Sequence, residues 1–142
     1  MDILDTERRS RVMAAIRSTG NLSTEVALAR ALRRNGVTGW RRHLPIRIGH
    51  LAIRPDFVFR KTRLAVFVDG CFWHQCPLHA TLPATRRNQW RLKLKANKAR
   101  DLRSNRALGG SGWRVLRIWE HAVVSNADAC ARRVLRANLG MH

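Results

Sequence analysis

The stretch "RPDFVFRKTRLAVFVDGCFWHQCPLH", residues 54–79, contains two short apolar runs with an acidic residue at one end of each. Both runs, DFVF and LAVFV, are rich in β-branched and aromatic residues, which predicts strands. LAVFV is apolar throughout, as expected for a strand that is covered on both faces. Asp56 opens the first strand and Asp69 closes the second. In neighbouring strands, these two carboxylates are expected at the same end of one sheet.

Helical patterns and further strands surround this stretch. Residues 6–18 predict a short amphipathic helix. Residues 23–36 predict a helix that Ser23 or Thr24 begins and Gly36 ends, with Leu28 and Leu32 as its apolar stripe. Glu25 falls in the first turn of this predicted helix, where a carboxylate can also serve simply as a charge at the helix start. Residues 39–46 predict a strand, about 86–108 a long basic helix, 113–121 a strand, and 124–142 a closing helix. The order predicts an α/β fold with a mixed central sheet flanked by helices. A length of 142 residues suits a single domain, 1–142.

The net charge indicates a polyanionic partner. Lys and Arg number 28 against 9 acidic residues, giving +19 at pH 7. Nucleic acid is therefore preferred over an anionic membrane surface or a ribosome-like scaffold. No apolar run approaches the roughly 20 residues of a membrane span, and no signal sequence is evident, so a cytoplasmic protein without membrane contact is expected.

Four acidic residues stand isolated among basic ones: Glu25, Asp56, Asp69 and Asp101. A DNA-binding surface normally excludes carboxylates, and one reason to keep them is a divalent cation that bridges carboxylate to phosphate. Salt bridges to neighbouring arginines explain any one of them equally well. The pattern "PD…D" is also the outline of a magnesium nuclease site, although Cys71 stands where the PD-(D/E)XK pattern has lysine.

Thiols and imidazoles follow the second strand. Cys71, Cys76 and His79 have a spacing that suits three zinc ligands, and His121 is the candidate for the fourth. A site with four protein ligands would be structural; two buried thiols and a surface histidine are the alternative. His74 is then left over, either as a general base or as an ordinary loop histidine.

Aromatic and basic side chains are the remaining candidates for DNA contact. Phe72, Trp73 and Trp90 lie beside cationic segments, where apolar side chains can wedge into a base stack, although any one of them is also a possible core residue. Lys93 and Arg100 belong to the cationic surface of the long helix.

Four ordered segments resemble the very-short-patch repair (Vsr) endonucleases, which nick DNA at mismatches and have a restriction-endonuclease-like fold. The segments are RPDFVF, FVDGCFWHQCPLH, PATRRNQWRLKLKANKARD and GWRVLRIWEHAV. The resemblance implies that Asp56 and the backbone carbonyl of Val68 hold catalytic Mg²⁺. It also implies that His74 is the general base and that Glu25 is a supporting carboxylate that acts through metal-bound water. Structural zinc would be held by Cys71, Cys76, His79 and His121.

The resemblance also implies how DNA is bound. Phe72, Trp73 and Trp90 would enter from the major groove beside a thymine mispaired with guanine. Met13, in an N-terminal DNA-contacting helix within residues 1–20, would enter from the minor groove. The best-studied members have Thr-His in place of Val68-Asp69 and Cys in place of His121. Asp69 is therefore kept among the catalytic candidates, as an added metal ligand.

The leading expectation is a bacterial Mg²⁺-dependent enzyme that nicks one strand beside a T:G mismatch left by deamination of 5-methylcytosine. It would act as a monomer on double-stranded DNA, functionally linked to mismatch-repair proteins and a DNA polymerase. A nicking enzyme with another trigger, in restriction or defence, is one alternative. A catalytically inactive, zinc-stapled DNA-binding module is another.

Overall fold

A computed structural model describes residues 21–70 and 87–140. Within these ranges there are four helices: α1 (Asn21–Arg34), α2 (Arg87–Gly110), α3 (Glu120–Ser125) and α4 (Ala127–Asn138). The six described strands are β1 (Trp40–Arg42), β2 (Ile46–Ile48), β3 (Leu51–Ile53), β4 (Phe57–Phe59), β5 (Leu64–Asp69) and β6 (Arg114–Trp119).

The described strands form a mixed four-stranded sheet and a separate hairpin. The sheet has the order β1-β4-β5-β6, in which β1 and β5 pair antiparallel with β4 and β5 pairs parallel with β6. Strands β2 and β3 pair only with each other among the described strands. The predicted α/β fold with a mixed sheet and flanking helices is confirmed. Its assignment to the restriction-endonuclease-like class, the zinc site and the single-domain boundary stay predictions.

Alternate residues of β5 pack on opposite faces of the sheet, as the unbroken apolar run predicts. Leu64, Val66 and Val68 join a core that α1 and α4 complete. Ala65 and Phe67 join a second core with Leu108 of α2 and with β2 and β3. Both faces of the central strand are therefore covered, which is why the strand carries no polar alternation.

Helix α1 has the predicted apolar stripe and the predicted end, but a different start. Leu28 and Leu32 are fully buried, and Gly36 has a φ of +70°, which allows Val37 N–H to donate to Leu32 O at 2.9 Å. The helix already includes Asn21, the first described residue, so the expected caps Ser23 and Thr24 lie inside it. Glu25 is consequently beyond the first turn and is buried, which contradicts its interpretation as a charge at the helix start.

Three further boundaries differ from expectation. The predicted strand 39–46 is broken at His43, whose φ of +56° ends β1 before β2 begins. The long helix continues through Gly109 and Gly110 and ends at a turn in which Gly112 has a φ of +85°. The closing segment is two helices, because the Asn126 side chain caps α4 by accepting from Ala129 N–H. Among the described residues, no helix combines the length and apolar character needed to cross a membrane.

Candidate active site

Three separate segments bring polar side chains to one end of the β1–β4 pair. Arg42 and Phe57 are register partners, so His43 and Asp56 are the next residues outward from the pair. His43 N–H donates to the backbone oxygen of Asp56 at 3.2 Å, which ties the turn after β1 to the entry of β4. Helix α1 supplies the third residue, Glu25.

The side chains of Glu25, His43 and Asp56 converge on a common point. Glu25 Oε2 lies 3.0 Å from His43 Nε2 and accepts a hydrogen bond from the Arg42 guanidinium, also at 3.0 Å. His43 Nε2 is 3.9 Å from Asp56 Oδ1. One ligand atom from each of the three residues lies within 4.8 Å of the others, a spacing that suits a single metal ion. The donor set of two carboxylates and an imidazole also fits a divalent cation.

The two carboxyl groups have strongly different proton affinities. Burial, together with the hydrogen bond and charge of Glu25, raises the pKa of Asp56 to about 9, and the charge of Asp69 adds to the effect. Burial also raises the pKa of Glu25, but hydrogen bonds from Asp56, His43 and Arg42 and the charge of His43 outweigh it and lower that pKa. At neutral pH without a cation, protonated Asp56 therefore faces ionised Glu25. A bound cation would take the place of that shared proton.

Val68 contributes its backbone to the same site. Its N–H donates to Asp56 Oδ2 at 2.6 Å, while its side chain is buried in the core. The carboxylate of Asp56 is thus oriented by the neighbouring strand, β5. The predicted role of the Val68 carbonyl as a metal ligand stays a prediction.

Asp69 lies next to this cluster, in an ion-pair network of its own. It is 6 % exposed, and its Oδ1 accepts from Arg117 Nη1 at 2.9 Å. Arg117 also donates to Asn105 Oδ1 at 3.0 Å, lies 3.7 Å from Asp101 Oδ1 and stacks on the Phe67 ring at 4.1 Å. The cation that balances Asp69 here is a guanidinium. The catalytic role of Asp69 stays a prediction.

The structure describes only some of the other predicted site residues. His121 is partly buried near the start of α3, and Lys93 and Arg100 are exposed on α2. Trp90 lies in α2, with its side chain outside the described part of the structure. Seven predicted residues lie outside the described ranges: Met13, Cys71, Phe72, Trp73, His74, Cys76 and His79. The zinc assignment, the proposed base and the intercalating aromatic residues therefore stay predictions.

Three residues of the region were missed by the sequence reasoning: Arg42, His43 and Arg117. His43 is identified only by the antiparallel register that places WRR of β1 against FVF of β4. An explicit pairing of the two short runs would have placed His43 beside Asp56. Arg117 is one of many arginines, and nothing in the local sequence distinguishes it from the solvent-exposed ones.

Comparisons with known proteins find relatives among DNA-cutting enzymes. A family model described as DNA mismatch endonuclease Vsr matches residues 1–79. The Type II nicking enzyme V.NaeI of Lentzea aerocolonigenes is 43 % identical over 122 residues, covering 85 % of this chain and 72 % of the relative. The Type II nicking enzyme V.NmeDIP of Neisseria meningitidis serogroup C is 36 % identical, covering 96 % and 90 %. The DNA mismatch endonuclease Vsr of Escherichia coli K12 is 38 % identical, covering 86 % and 75 %.

Proposed function

The chain belongs to the Vsr family of DNA mismatch endonucleases, and from that premise we propose that it nicks one strand of duplex DNA beside a T:G mismatch. The reaction is a Mg²⁺-dependent hydrolysis of one phosphodiester bond that leaves a 5′-phosphate and a 3′-hydroxyl. The observation that carries the proposal is the Glu25–Asp56 carboxyl pair, which is held at a sheet end in a chain of net charge +19.

The carboxyl pair is chemically suited to a cation and poorly suited to DNA without one. With one proton between them, the two carboxyl groups still carry a negative charge, which repels phosphate. A doubly charged ion would neutralise the pair and attract phosphate, which one proton cannot do. A divalent cation held there would neutralise charge on the scissile phosphate. Asp56 is the principal ligand, fixed by the Val68 N–H, and Glu25 is the supporting carboxylate, fixed by Arg42.

Proton transfer and base recognition are assigned to residues of the family motifs. His74 is proposed to accept the proton of the attacking water, a role that suits a group titrating near neutrality. Phe72, Trp73, Trp90 and Met13 are proposed to enter the base stack around the mismatch. Cys71, Cys76, His79 and His121 are proposed to hold a structural zinc ion. A monomer suits the asymmetric cutting of one strand.

A nicking activity with a different trigger is the second candidate, because relatives of this chain are named Type II nicking enzymes. Both candidates are tested with labelled duplexes that are matched or carry one T:G pair in varied sequence contexts. In metal-free buffer supplemented with Mg²⁺, the wild type is expected to cut one strand of the T:G duplexes alone, and no cutting is expected without an added divalent cation. The activity is expected to be lost in Asp56→Asn. Equal cutting of matched duplexes would favour the second candidate. Binding without cutting in any sequence context would indicate that the protein is a catalytically inactive DNA-binding module.

A further inference from the structure

His43 is the third side chain of the site and lies beside the carboxyl groups of Glu25 and Asp56. Its left-handed backbone, with a φ of +56°, and its N–H bond to the Asp56 carbonyl hold the residue against the entry of β4. Its Nε2, rather than its Nδ1, is the ring atom that faces both Glu25 and Asp56. The side chain is 46 % exposed, so it is accessible to a ligand.

The distances match those between ligands of one octahedral ion. With metal–ligand bonds of about 2.1 Å, neighbouring ligands lie about 3.0 Å apart and opposite ligands about 4.2 Å apart. His43 Nε2 is 3.0 Å from Glu25 Oε2 and 3.9 Å from Asp56 Oδ1, within that range. His43 Nε2 therefore lies within the spacing of metal ligands from both carboxyl groups, and not from Glu25 alone.

We propose that His43 is a direct ligand of the active-site metal ion and gives the site a preference for Mn²⁺ over Mg²⁺. This inference rests on the proposed function, which places a divalent cation on Asp56. Mg²⁺ retains its water and prefers oxygen ligands, whereas imidazole nitrogen is a ligand of transition-metal ions. Carboxylates suit both Mg²⁺ and Mn²⁺, so the preference between them depends on His43.

The test measures metal binding by the full-length protein without DNA. The electron paramagnetic resonance signal of free Mn²⁺ gives the Mn²⁺ affinity, and competition gives the Mg²⁺ affinity. The wild type is expected to bind Mn²⁺ at least about tenfold more tightly than Mg²⁺. His43→Ala and His43→Gln are both expected to reduce this ratio by about tenfold, mainly through Mn²⁺. Electron spin-echo spectra of bound Mn²⁺ should lose the coupling to an imidazole nitrogen in both variants.

The two His43 variants separate ligation from positioning. Glutamine retains an N–H group that can donate to Glu25, so normal Mn²⁺ binding by His43→Gln would reduce His43 to a positioning residue and overturn the proposal. The matched control is His50→Gln, which removes an exposed imidazole in the β2–β3 turn and should change neither affinity. An Asp56→Asn variant that binds both ions normally would instead refute the metal site of the proposed function. Loss of binding in Asp56→Asn, with an unchanged ratio in the His43 variants, would refute the His43 assignment alone.

Discussion

Arg117 Nη1 donates to the buried Asp69 carboxylate at 2.9 Å, across the parallel β5–β6 pair. The guanidinium is held on its other sides by the Phe67 ring and by Asn105 of α2. Arg117 therefore joins three elements: β6, the end of β5 beside the carboxyl cluster, and the cationic helix α2. The contact neutralises a carboxylate that is close enough to Asp56 to raise its pKa.

Removal of the Arg117 charge is predicted to destabilise the fold. Arg117→Met removes the guanidinium that pairs with the buried Asp69 carboxylate, and loss of one partner of a buried pair costs about 3 kcal/mol. Urea unfolding measures the loss. The control is Arg34→Met, which removes an arginine from an exposed pair with Asp128 and should change stability far less. Equal losses in the two variants would contradict a special role for the Arg117 pair.

Without divalent cations, the stability of the protein is predicted to fall as pH rises through the neutral range. The pKa of Asp56 is raised to about 9 in the folded protein, from about 4 in the unfolded chain, so the folded state binds this proton more tightly. Stability from this group is therefore full below pH 4 and is lost progressively toward pH 9. Glu25 is ionised in both states above about pH 6, so it does not offset the trend. Chemical unfolding in EDTA from pH 6 to 9 measures it.

Asp56→Asn is predicted to remove that pH dependence. Its amide donates to Glu25 as protonated Asp56 does but cannot ionise, so the variant should exceed the wild type by about 1 to 3 kcal/mol at pH 8 in EDTA. Addition of Mg²⁺ should stabilise the wild type alone, because the variant lacks the carboxylate. A wild type whose stability is level across this pH range would show that Asp56 is ionised without a cation.

Zinc content is predicted to depend on His121 and not on Cys130. Purified protein should contain about one zinc ion per chain, and His121→Ala should lose it while His121→Cys retains it, because thiolate and imidazole both ligate zinc. Cys130→Ala is the control, since Cys130 is buried in the core and not in the proposed ligand set. Mass spectrometry for metals measures the zinc content per chain in the wild type and in each variant. Folded protein without zinc, or full zinc in His121→Ala, would refute the ligand set.

Local patterns predicted the parts of the fold that depend on neighbouring residues. The apolar run of β5, the stripe of Leu28 and Leu32, and the acids Glu25 and Asp56 were all identified from composition and spacing. The β2–β3 hairpin was not, because its strands are only three residues each and the turn signal is weak. Contacts between distant segments were also not predicted, because local patterns do not show which segments meet. His43 approaches Glu25 through strand register, and Arg117 approaches Asp69 through helix and strand packing.

Lys93 and Arg100 are predicted to bind DNA phosphates, because both are exposed on α2, the most cationic helix of the described chain. Each phosphate contact contributes about 0.9 to the slope of log affinity against log salt concentration. The double variant Lys93→Ala/Arg100→Ala should therefore lower that slope by nearly two for matched and mismatched duplexes alike. Arg132→Ala/Arg133→Ala removes the same charge from α4, which packs on the opposite face of the sheet. Fluorescence anisotropy at several salt concentrations should show little change in this control. Equal changes in the two double variants would mean that net charge, rather than the α2 surface, determines DNA binding.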